Sequence, residues 1–140
     1  MGRMQASCTN SVMAELTERA RELLTGTNFA FIAELMPDGS PHVSPVWIDV
    51  EGDLILVNTA KGRHKEANLR RDPRVAISIS PANEPYEHVD IRGRVVEIRE
   101  GEAAEADIDR LGRKYKGWER YPLAEGEQRV SYLVEPLVCT

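Results

Sequence analysis

Lys61, Arg63 and Lys65 alternate around Gly62 and His64, and the segment Thr59 to Pro73 that carries them follows an apolar run, Asp53 to Asn58. This is a strand, a glycine turn and the start of a short helix that Asp72 and Pro73 terminate. Cations crowd the first helical turn, where the helix dipole disfavours them unless an anion is there to be neutralised. Free backbone N–H groups, the positive helix end and three cations together make a phosphate seat. On residue types alone, a solvated basic helix face accounts for the segment equally well.

The flanking elements set where such a seat would lie. Ser11 to Leu24 reads as an amphipathic helix with Val12, Leu16, Ala20 and Leu23 on one side. Phe29 to Leu35 is a buried strand, Met36 to Ser40 a hairpin turn with Gly39 at the left-handed position, and Pro41 to Val50 the returning strand. Pro45 lies in the middle of that strand and predicts an irregularity there, either a bulge in a barrel wall or an ordinary edge. Asp53 to Asn58 completes a three-strand meander.

Further on, Arg74 to Ser80 and His88 to Arg99 alternate as strands, and Gly93 inside the second marks a bulge or corner. Glu102 to Lys116 is a second amphipathic helix with Ile108, Leu111 and Tyr115 inward, and Arg129 to Val134 is the last strand. Six antiparallel strands with short turns predict a small barrel, mainly β with flanking helices, because closure removes open edges. The expected organisation is a flexible tail over 1–10 and a single domain over 11–140.

Composition narrows the function. A chain of 140 residues with 41% hydrophobic content suits one core. A net charge of -5 and a pI near 5.3 disfavour nucleic acid and anionic membranes as partners. Cys8 and Cys139 have no metal-ligand spacing, and no segment reaches the length of a membrane span, which together suggest the cytoplasm. His42, His64 and His88 are scattered without ligand spacing, so no metal site is expected.

The runs Pro37 to Trp47 and Thr59 to Arg74, followed by Ile91-Arg92-Gly93 and Ile108 to Leu111, resemble in order and spacing the split β-barrel flavin and deazaflavin reductase superfamily of pyridoxamine 5'-phosphate oxidase. The resemblance is strongest to its deazaflavin-dependent branch, which binds coenzyme F420 and is common in actinobacteria. It implies a homodimer of six-stranded split barrels, with cofactor clefts at the subunit interface and a hydride passed to a small-molecule substrate. Lys65 matches the family's phosphate-binding lysine, Lys61 and Arg63 stand in the same turn, and Thr59 and Asn68 flank them. Ser44, Pro45, Val46 and Trp47 match the strand beside the tricyclic ring, and Asn58 sits at a strand end facing the same cleft.

Two departures matter. The chain ends Glu135 to Thr140 without the arginine signature of the oxidases, and His64 stands where they commonly place arginine. Both weigh against flavin mononucleotide (FMN), the alternative cofactor. Arg70, Arg71 and Arg74 fit a longer anionic tail, or equally a solvated surface. Because the cofactor carries the chemistry, no catalytic side chain is expected. Tyr86, Trp118 and Tyr121 are the aromatics available to line a substrate side, although loop packing explains each as well. A non-catalytic flavin, deazaflavin or haem carrier is the reading from another class.

Overall fold

The computed structural model describes residues 14–140. The expected tail, Cys8 and the expected helix start at Ser11 to Met13 lie outside the described residues. Helix α1 spans Glu18–Thr25, later than the periodicity predicts, because the Thr17 hydroxyl caps it by accepting from the Ala20 N–H at 3.0 Å. Strands β1 (Ala30–Leu35), β2 (Pro41–Val46), β3 (Ile48–Glu51) and β4 (Leu54–Ala60) follow, then helix α2 (His64–Arg71). Strands β5 (Arg74–Ile79) and β6 (Val89–Arg99), helix α3 (Gly101–Lys116) and strand β7 (Arg129–Cys139) complete the chain.

All seven strands belong to one antiparallel sheet in the order β2-β1-β5-β6-β7-β4-β3. The outermost strands, β2 and β3, are separated in sequence by Trp47 alone. Consecutive Cα atoms are about 3.8 Å apart, so the sheet curls until its two edges meet at that residue. The result is a curled, split barrel whose two edge strands are joined through Trp47 without a hydrogen-bonded ladder between them.

The predicted strand Pro41 to Val50 is therefore two strands, which makes seven rather than six. Its first half pairs with β1 and its second with β4, so the expected simple meander is replaced by a joint at Trp47. Pro45 opposes Phe31 within β2, an edge strand in which a missing N–H is tolerated.

The barrel interior is filled by alternate residues, among them Ile32, Val46, Ile48, Ile55, Val57, Ile77, Ile91, Val130, Tyr132 and Val134. Leu23 and Leu24 of α1 join this core. Strand β4 is buried on both faces, because α3 packs across β7 and β4 and covers Leu56 and Leu133 with Ala104, Ile108 and Leu111. Gly93 sits at a register shift opposite Pro136, and a Cβ there would lie 2.5 Å from the Glu135 carbonyl oxygen. The expected bulge at Gly93 is thus a close backbone approach that excludes other side chains. Strand β7 runs five residues beyond its expected end, carrying Pro136 past this bulge.

Candidate functional site

At the C-terminal end of β4, Gly62 takes φ +96° and turns the chain into α2. The helix begins after Arg63, which supplies no side-chain cap, so the first-turn N–H groups have no capping oxygen. Beside this turn lies a polar cleft of about 370 Å³ bordered by His42, Ser44, Pro45, Gly62, Arg63, His64 and Lys65. The Ser44 hydroxyl is buried there without a hydrogen-bond partner among the described residues.

A second cleft of about 280 Å³ shares Pro45, Arg63 and Lys65 with the first. Its walls are flat and apolar, from Phe29, Val46, Trp47, Ile108 and Tyr121, with Asn58 and Arg129 as further polar lining. Trp47 stands at the barrel joint and meets Trp118 and Tyr121 edge-on, with ring centroids 6.1 and 6.3 Å away. The loop after α3 therefore folds over this chain's own cleft. One continuous site thus has a cationic end and an aromatic end.

Lys65 borders both ends, is 9% exposed, and makes no hydrogen bond or ion pair among the described residues. Burial pushes its ammonium below the ordinary lysine value; the Glu34 carboxylate opposes that shift, while Arg63 and Arg129 reinforce it. An anion in the polar cleft would relieve the strain of these like charges. Behind it, the fully buried Glu34 carboxylate accepts from Asn68 at 3.3 Å and lies 2.6 Å from His42 Nδ1. His42 and His64, read from sequence as scattered, come within 5.9 Å of each other.

Several expected site residues lie elsewhere. The Gly62 turn sends Lys61 away from the cleft to an ion pair with Glu100 at 3.0 Å. Asn68 lies on the buried face of α2 and is occupied by Glu34, Met36 and Arg71. Thr59 is buried and borders neither cleft; its hydroxyl has no partner among the described residues. Tyr86 is exposed in an open groove with Phe31 and Val43 on the outside of the sheet. Trp118 reaches the site only by packing on Trp47 and Tyr121.

The arginines expected to meet a long anionic tail are also committed. Arg70 pairs with Glu66 and Glu100, Arg71 donates to the Leu35 carbonyl and Asn68, and Arg74 pairs with Asp72. None borders either cleft. Sequence reasoning missed Arg129, whose only sequence signal was a cation opening an apolar strand, and Glu34, a carboxylate inside an apolar run.

No helix of the described residues is long and apolar enough to cross a membrane. The chain is similar to a protein described as an F420 reductase, with 27% identity, a TM-score of 0.78, and coverage of 89% of this chain and 98% of that one. A conserved hypothetical protein of Mycobacterium tuberculosis (21% identity, TM-score 0.69, coverage 91% and 84%) shares the fold. So does General Stress Protein 26 of Bacillus anthracis (16%, 0.62, 84% and 86%). No curated protein sequence matches the chain. Residues 16–135 match the family model described as pyridoxamine 5'-phosphate oxidase, and the chain belongs to that family of flavin-type, split-barrel oxidoreductases.

Proposed function

We propose that the protein is a deazaflavin-dependent reductase that uses coenzyme F420 to reduce a small organic acceptor in the cytoplasm. The observation that carries this reading is the junction of the two clefts at Pro45, Arg63 and Lys65. A phosphate-bearing planar cofactor matches both ends at once. The residues fit such a group: the Ser44 hydroxyl lacks a partner among the described residues, the α2 start lacks a side-chain cap, and Lys65 is a buried cation without a counter-ion contact. The likeness to an F420 reductase and the histidine at position 64 favour the deazaflavin over FMN.

When bound, the cofactor supplies two-electron hydride chemistry. The chain's own residues bind, orient and shield it. Lys65, Arg63 and the α2 N–H groups hold the phosphate, while Pro45, Val46 and Trp47 run along the ring. Tyr121 and Trp118 limit water on the open side.

The working unit we propose is a homodimer. Phe31 and Val43 are 53% and 62% exposed on the outer sheet face, an apolar area that a second copy would cover. Binding titrations with coenzyme F420 and FMN test the cofactor assignment, and turnover with the reduced cofactor tests the enzyme assignment. Tighter binding of FMN would transfer the reading to the flavin branch. Binding without turnover of any acceptor would indicate a carrier.

A further inference from the structure

Arg129 opens β7 opposite Ala60 and is 6% exposed, yet it borders the aromatic cleft and not the phosphate end. Its guanidinium is held from behind. Nε donates to Asn58 Oδ1 at 2.9 Å, and Nη1 donates to Glu127 at 2.7 Å and to the Tyr121 hydroxyl at 3.5 Å. The guanidinium carbon lies 4.9 Å over the Tyr121 ring. Nη2, with two further N–H donors, has no hydrogen-bond partner among the described residues.

The support extends deeper. Asn58 Nδ2 donates to the Ala104 carbonyl at 3.1 Å and to Ser131 Oγ at 2.8 Å, which fixes the amide with its oxygen toward Arg129. Ser131 Oγ in turn donates to Asp107 at 2.7 Å, and Asp107 pairs with Arg99. Both amide protons of Asn58 are therefore committed, so Asn58 acts as a positioning residue for Arg129. A buried cation held rigidly by such a chain, with one nitrogen left over, is preorganised for a ligand.

We propose that Arg129 recognises the ring end of the cofactor, donating from Nη2 to a carbonyl or anionic oxygen on the edge of the planar heterocycle. This rests on the cofactor reading above. Recognition is then two-point: Lys65 and the α2 start take the phosphate, and Arg129 takes the ring. A phosphate-free ring keeps the second contact and loses the first.

Fluorescence titration of wild type, Arg129→Gln and Arg129→Lys with two ligand pairs tests this. One pair is coenzyme F420 and its phosphate-free ribityl deazaflavin; the other is FMN and riboflavin. Arg129→Gln should weaken both members of a bound pair about tenfold or more, leaving the ratio between them unchanged. Arg129→Lys, which keeps the charge and is the control if the glutamine variant melts early, should fall between. An unchanged affinity in both variants overturns the proposal, as does a loss confined to the phosphorylated member. If wild type binds neither pair, the cofactor reading fails and takes this proposal with it.

Discussion

The Trp47 indole stacks on the Tyr115 ring at 5.4 Å and within 6° of parallel, locking the joint where the two sheet edges meet to the last turn of α3. The Tyr115 hydroxyl completes the lock by donating to the Asn28 carbonyl at 2.5 Å and accepting from the Ile48 N–H at 3.3 Å. Burial raises its pKa to about 12, so it stays a donor at any ordinary pH. Tyr115→Phe keeps the stack but removes both hydrogen bonds. Unfolding in denaturant should show a loss of about 1–2 kcal/mol. An unchanged midpoint would mean that the hydroxyl does not hold the joint.

Lys65→Ala should weaken coenzyme F420 binding by about 1.5–3 kcal/mol, the range of a charge-assisted hydrogen bond. Its stability should hold or rise slightly, because the alanine variant no longer confines a buried ammonium beside Arg63 and Arg129. Calorimetry and thermal melting on one preparation check both halves. A collapse in melting temperature with unchanged affinity would make Lys65 a structural residue.

Sequence periodicity exposed most of the frame, and the reasons for the misses are specific. Gly39 in its turn and Gly93 in its bulge were legible because each sits where a side chain is excluded by backbone conformation or contact. The break at Trp47 was not, since no turn residue separates β2 from β3 and only long-range pairing with β1 and β4 divides them. The cation-bearing turn at Gly62 was legible as local chemistry. Lys61 and Lys65 look alike in sequence, however, and only the Gly62 turn sends one toward Glu100 and the other into the cleft. Arg129 was hidden because Asn58, which accepts from its Nε, lies 71 residues away in sequence.

Lys114 should titrate near 8, far below the ordinary lysine value of 10.5, because burial outweighs the attraction of Asp49. Its ammonium donates to the Leu24 and Ile48 carbonyls, tying α1 and β3 to α3. Between about pH 8 and 10.5 the unfolded chain holds this proton and the native chain does not, so stability rises with pH through that window. The destabilising contribution is complete below pH 8. Relative to Lys114→Met, wild type should therefore gain stability from pH 8 to 10. Isotope-labelled reductive methylation, followed by nuclear magnetic resonance across the same range, reads the titration directly. A Lys114 resonance titrating near 10.5 would contradict the burial argument.

The proposed homodimer would use the outer sheet face. Inward residues of β1 are buried, whereas Phe31 on the opposite face is 53% exposed and has Val43 and Tyr86 beside it in the same groove. Large aromatic and branched side chains on a sheet exterior lose water contact if a second copy packs there, and a two-fold pairing lets one patch serve both chains. Light scattering should then give twice the 15.7 kDa chain mass. Val43→Asp would bury two like charges across such an interface, so it should shift the protein to 15.7 kDa while leaving its circular dichroism unchanged. Phe31→Ala should weaken association less, since it removes area without adding charge. A wild-type protein that scatters as a monomer at all concentrations would show that the groove is simply solvated, and the proposed cofactor cleft would then be the work of one chain.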